Sequence, residues 1–211
     1  MLPNWSCSKK FQYRWSKIID PAQKLFGPIL PPEKQYWAMS GKCANEGSLI
    51  SGCEYDQMVN LNFVKPQQFF SADKDALIIE HNKCLPGTWL NLDFLRAMKQ
   101  SASAGTFNPG VVHADFIRMP RADAKTFADI ISFITGMNID NVIVVGNFVL
   151  KTYHHSKQDG NALIDELSKY KLFTDVIGQW QFDQQCYEYN GTGKRSTSVM
   201  GAIVLVKGKA A

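Results

Sequence analysis

The chain has 211 residues, with 23 Lys and Arg against 19 Asp and Glu. All of the +4 excess lies in residues 1–34, and the remainder of the chain is balanced. So small an excess excludes a histone-like polycation, and 45% hydrophobic with 20% charged residues excludes a disordered chain.

Other classes fall away on pattern. The longest strongly apolar stretch, residues 141–150, is too short for a membrane span, which takes about 20 residues. The N-terminus lacks the apolar core of a signal peptide. Cys7, Cys43, Cys53, Cys84 and Cys186 form no CxxC pair, and their number is odd. That pattern predicts reduced thiols in a cytoplasmic protein, with neither a disulfide framework nor a metal site.

Residues 1–33 read as a basic, aromatic N-terminal arm bounded by two Pro clusters. Phe11, Trp15 and Ile18-Ile19 recur at helical spacing, so the arm holds one short helix. It interleaves Lys9, Lys10, Arg14 and Lys17 with Trp5, Phe11, Tyr13 and Trp15. Rings that stack on bases and cations that meet phosphates make these four basic residues candidates for nucleic-acid binding. A helix packed on the body with solvated lysines accounts for the same pattern.

From residue 34 to 211 strands and helices alternate in a single domain. Strands are predicted at residues 35–39, 68–72, 88–92, 110–114 and 141–152. Helices are predicted at residues 47–60, 75–82, 94–103, 122–135 and 161–170. Two last strands, at residues 178–189 and 198–206, are joined by a link too short for a crossover helix and must form a hairpin. The fold class is therefore α/β: a doubly wound, mostly parallel, seven-stranded Rossmann-like sheet with a C-terminal antiparallel β-hairpin.

In open α/β sheets ligands bind beyond the carboxyl ends of the strands. The residues that stop each strand are therefore the candidates. Ser40 and Gly41 follow the first strand, in a turn that continues to Asn45 and Gly47 without matching GxGxxG. Asp73, Asp93 and Asp115 stop the second, third and fourth strands, and Lys151 lies in the fifth. Each Asp is also a natural helix cap.

This series of strands and placed acids, over about residues 34–207, resembles the class I S-adenosylmethionine-dependent methyltransferases. The resemblance implies S-adenosyl-L-methionine as cofactor. Ser40, Gly41, Asn45 and Gly47 would then surround its methionine end, Asp73 would hold the ribose hydroxyls, and Asp93 with Phe94 would meet the adenine. Asp115 would face the target atom. The glycine-rich turn of that family is degraded here and its leading acidic residue is absent.

The resemblance also bears on the acceptor. No Pro-Pro-aromatic run follows Asp115, and no cysteine follows a proline, so base amino and base C5 methylation are not indicated. Asp115 with Lys151 resembles part of the Lys-Asp-Lys-Glu tetrad of ribose 2′-O-methyltransferases, although the glutamate of the last strand is missing. Nucleic acid or a nucleotide component is the expected substrate. Two alternatives stand beside this reading: a binding module with a decayed cofactor loop, and another nucleotide-dependent enzyme on the same fold.

Overall fold

The computed structural model describes residues 12, 14–39, 41, 43, 53–116, 120–151, 168–169, 181–190 and 197–208, with backbone alone at residues 120–122, 149–151, 181–190 and 197–203. A π-helical turn, Trp15–Ile19, leads into α1, Asp20–Phe26. Gly27 ends α1 at φ 88°, a conformation that costs glycine little. The strands are β1 (Gln35–Ala38), β2 (Phe69–Ala72), β3 (Thr88–Leu90), β4 (Pro109–Asp115), β5 (Val142–Lys151), β6 (Gln181–Asn190) and β7 (Thr197–Lys207). The helices between them are α2 (Glu54–Asn60), α3 (Ala76–Asn82), α4 (Phe94–Ser103) and α5 (Pro120–Gly136). A 3-10 turn at Pro66–Gln68, not foreseen in the sequence, leads into β2.

The strands lie in the order β3-β2-β1-β4-β5-β7-β6. Pairing is parallel from β3 through β5, for example Tyr36↔Phe69, Tyr36↔Val111 and Val112↔Val144. β7 runs antiparallel to both β5 and β6. The expected mostly parallel sheet with a C-terminal antiparallel hairpin is thus present, and the hairpin is folded inward: its second strand, not its first, joins β5. Strand order reverses between β1 and β4, which makes the carboxyl ends of these two strands the switch point where doubly wound sheets bind ligands.

Alternation along the strands divides the core between the two faces. On one face Trp37 stacks on Phe70 at 5.0 Å and meets Phe94 and Phe107 edge-on, while Phe116, Phe127 and Phe148 close the far end around α5. Gly146 lets β5 approach α5, since a Cβ there would lie 2.5 Å from the Phe127 ring. On the other face Tyr36, Ala38, Val111, Ile143 and Val145 pack with Met58 and Phe63, and with Ile18, Ile19, Ala22, Leu25 and Leu30.

That last group corrects the picture of an appended arm. Residues 18–30 bury apolar side chains in the core of the body, so the boundary placed at residue 33 is not a boundary of packing. A second correction concerns the thiols: Cys43 and Cys53 form a disulfide, with Cα atoms 4.9 Å apart, while Cys84 is free and exposed. The helix expected at residues 161–170 lies outside the described residues, apart from 168–169. Among the described residues no helix is long and apolar enough to cross a membrane.

Candidate functional site

The strand ends at the switch point are fastened by polar side chains. After β1, the Met39 N–H donates to the His113 carbonyl of β4 at 3.1 Å. The backbone then reaches Gly41 and Cys43, where Asn82 of α3 takes hold of it. The Cys43 N–H donates to Asn82 Oδ1 at 2.9 Å, and Asn82 Nδ2 donates to the Gly41 carbonyl at 3.1 Å. His81 Nε2 donates to the Cys43 carbonyl at 2.6 Å. Asn82 is fully buried, so these bonds also answer its own polar needs. Ser40, Asn45 and Gly47 lie outside the described residues.

Beyond β2, Asp73 is half-buried and accepts the Asp75 N–H at 2.8 Å. Burial pushes its carboxyl above the usual aspartate value; the N–H of Asp75 offsets part of this, and the neighbouring Asp75 charge adds to it. Asn91 Nδ2 donates to the carbonyls of Asp73 and Lys74, tying the β2 and β3 ends together.

Asp93 is differently employed. It accepts the Arg96 N–H at 3.2 Å as the cap of α4, and its other oxygen pairs with Lys74 Nζ at 3.0 Å. Partial burial pushes this carboxyl up, but Lys74 and the α4 N–H groups together outweigh burial and hold it below the usual value. Phe94 is 4% exposed, with its ring in the core against Trp37. Phe94, expected with Asp93 to meet the adenine, is thus turned into the core, because the apolar position after a capping Asp is drawn inward. Asp93 already serves a cation and a helix end.

Asp115 ends β4 and accepts from Asn147 Nδ2 at 3.3 Å. The two are register partners, and the Phe116 N–H continues the ladder to the Asn147 carbonyl at 2.9 Å. Lys151 lies four residues beyond Asn147, about 13 Å further along β5, and pairs with Val199. The Asp115–Lys151 pair is thus not a pair of register neighbours; the residue set against Asp115 is Asn147.

Directly behind the switch point lies a buried polar network. Glu54, the first residue of α2, accepts the Tyr36 hydroxyl at 2.5 Å and His113 Nδ1 at 2.7 Å. Arg14 comes within 3.7 Å of its second oxygen and donates to Gln57 Oε1 at 2.6 Å. Burial pushes the Glu54 carboxyl up, yet His113, Arg14 and the Tyr36 hydroxyl more than offset this and hold it below the usual glutamate value. Arg14, expected on a nucleic-acid surface, is 5% exposed and faces Glu54; this corrects its assignment as a substrate contact. Lys17 is half-buried, and Lys9 and Lys10 lie outside the described residues.

The sequence carried signals for the residues that were missed. His113 stands alone in Gly110-Val-Val-His-Ala114, and Asn147 alone in Val142-Ile-Val-Val-Gly-Asn147. A polar group in a strand buried on both faces must have a partner, so each solitary polar residue marks one. Among the described residues no cluster of three or more His, Cys, Asp or Glu could hold a metal ion.

No protein-family model and no curated protein matches the sequence. The solved structures to which the chain is similar include three that are named as methyltransferases. One, from Streptococcus mutans, is named as SAM-dependent; identity is 11% over 70% of this chain, with a TM-score of 0.43. The chain spans 40% of that protein's length. The second is the N-methyltransferase NodS from Bradyrhizobium japonicum, at 10% identity over 95% of this chain and 98% of that one, TM-score 0.44. The third is a precorrin-6y C5,15-methyltransferase from Geobacter metallireducens, at 11% identity over 96% and 94%, TM-score 0.49.

Proposed function

We propose that this chain is an S-adenosylmethionine-dependent methyltransferase. The observation that carries the reading is the sheet itself: parallel strands fan out from β1 and β4, and an antiparallel strand lies between β5 and β6. That arrangement matches the series whose placed acids suggested the family. Asp73 supplies the chemical fit. A half-buried carboxylate beside the switch point is costly until donors reach it, and two ribose hydroxyls are such donors. The backbone at Gly41 and Cys43, fixed by Asn82, would flank the other end of the cofactor. The cofactor, when bound, supplies an electrophilic methyl on a sulfonium. The chain's part is to orient it and to set the acceptor in line.

For the acceptor we take a nucleic acid or nucleotide component, on the strength of Lys9, Lys10 and Lys17; Arg14 no longer contributes. Asp115, oriented by Asn147, is the group we place toward the acceptor, and Lys151 is retained only for a ribose 2′-O reaction. One observation favours a second reading: Asp93 is engaged by Lys74 and its helix, and Phe94 is buried, as suits a non-catalytic nucleic-acid-binding module whose cofactor site has decayed. A cytoplasmic setting, expected from the cysteines, must accommodate the Cys43–Cys53 bridge.

Titration calorimetry of the full chain with S-adenosylmethionine and its demethylated product tests the reading. Binding of both is expected, with Asp73→Ala weakening it by about tenfold to a hundredfold, as for a lost hydrogen bond to a charged group. Absence of binding at millimolar concentration overturns the proposal. The same absence with RNA still bound selects the second reading.

A further inference from the structure

We infer that Cys43 and Cys53 are a reversible redox pair that sets how firmly the carboxyl end of β1 is held, and through it the affinity for an adenosyl ligand. The second half of this inference rests on the methyltransferase reading; the first does not.

Position is the first ground. The bridge joins the backbone just beyond β1, at the switch point, to the residue that precedes α2. On one side Asn82 and His81 hold Cys43 by its own N–H and carbonyl. On the other, Glu54 follows Cys53 directly and gathers Tyr36 of β1 and His113 of β4. The bond therefore connects two fastened points that pack against the same face of the sheet, beside Tyr36 and Ala38.

Provision for both oxidation states is the second ground. A disulfide sulfur carries no hydrogen, yet each sulfur here lies beside an acceptor. Cys53 Sγ is 3.5 Å from Asp56 Oδ2, and Cys43 Sγ is 3.9 Å from the Gly41 carbonyl. Reduction would give each thiol an S–H with an acceptor already in place. Asp56 is itself buried, and burial pushes its carboxyl up, so a donor arriving from Cys53 relieves part of its cost. A bridge that is purely structural needs neither acceptor.

Access decides the order of events. Cys43 is 1% exposed and Cys53 is partly exposed, so a dithiol reductant attacks Cys53 Sγ. One reductant thiolate bonds to that sulfur, and Cys43 leaves as a thiolate that takes up a proton. The reductant's second thiolate then displaces Cys53, which leaves as a thiolate and is protonated in turn. The chain gains two electrons and two protons, and the reductant ends as a disulfide. Oxidised glutathione reverses the reaction and leaves as two molecules of the reduced form.

The full chain is equilibrated across dithiothreitol and glutathione buffers, its thiols are trapped with iodoacetamide, and the peptides are weighed. Cys43 and Cys53 are expected to be labelled together and to lose the label together on reoxidation. Failure to reoxidise, or a bridge that withstands excess dithiothreitol on the native chain, overturns the redox pair. Asp56→Ala removes the thiol acceptor and is expected to shift the balance toward the disulfide; an unmoved balance counts against the role given to Asp56.

Calorimetry with the demethylated product then compares the two wild-type forms. The oxidised form is expected to bind about tenfold more tightly, within the usual range of coupling between sites. Equal affinity in both forms overturns the switch while sparing the methyltransferase reading. If neither form binds, that reading fails, and amide exchange at Gly41 and Cys43 decides the rest: protection that drops on reduction supports the hold on β1, and unchanged protection overturns it. The double variant Cys43→Ser, Cys53→Ser should bind as the reduced form does and ignore dithiothreitol.

Discussion

The two faces of the sheet are built on different principles. The face under α4 and α5 is apolar and aromatic, held by rings such as Trp37, Phe127 and Phe148. The face under α1 and α2 is apolar as well, but it encloses Arg14, Tyr36, Glu54, Gln57 and His113 bonded to one another. Apolar packing tolerates substitutions that keep volume, whereas a buried charge tolerates almost no loss of its partners. Both faces supply apolar core. The second fixes which backbone segments meet at the switch point.

Substitutions on each face test this contrast. Glu54→Ala should have the largest effect, about 3–5 kcal/mol, because it strands Arg14 in the interior. Denaturant unfolding at neutral pH reads it, and a loss below about 1 kcal/mol would show that the charges are hydrated after all. Acid adds a second reading. The Glu54 carboxyl titrates lower when folded than when unfolded, so its contribution is complete above the ordinary glutamate value of 4.5 and is lost as pH falls through the folded value. Wild-type stability should fall over that acid range more steeply than that of the variant.

Gly146→Ala is the corresponding test of the apolar face. The new methyl would meet the buried Phe127 ring, and overpacking of this kind costs about 1–3 kcal/mol. Restoring room with Phe127→Leu should recover part of the loss in a double-mutant cycle. Asp93→Ala, at the surface end of α4, removes a cap and a partly exposed ion pair and should cost about 1 kcal/mol in the same assay. If Asp93→Ala proved costlier than Glu54→Ala, the ranking of the two faces would be reversed.

The two faces also differ in how far the sequence disclosed them. The helix over residues 94–103 is legible to the residue, since a capping Asp and a periodic apolar stripe are local signals. The parallel strands and the closing hairpin followed from alternation and link length. Local pattern does not report which side chains meet across 40 or 100 residues. Arg14 read as a surface cation because its partners lie on α2, 40 residues along the chain. Cys43 and Cys53 gave no CxxC spacing, and only the fold brings them together. Asp115 is legible as a strand end, but only the register of the sheet shows that Asn147 lies beside it.

The inward-folded hairpin has a consequence for how the chain assembles. Residues 142–149 of β5 find their antiparallel partners only at residues 200–207, after β6 has been made. Until then one flank of β5, in the most apolar strand of the molecule, is an open row of amide and carbonyl groups. Such an edge is a template for strands of other chains. The β2–β3 and β4–β5 pairings join nearer segments, whereas this closure, like the β1–β4 pairing, is a long-range contact that is slow to find. Newly made copies at high concentration will therefore tend to join at this flank before β7 arrives, and yield of soluble protein should respond to slower synthesis more than to any change in the finished core.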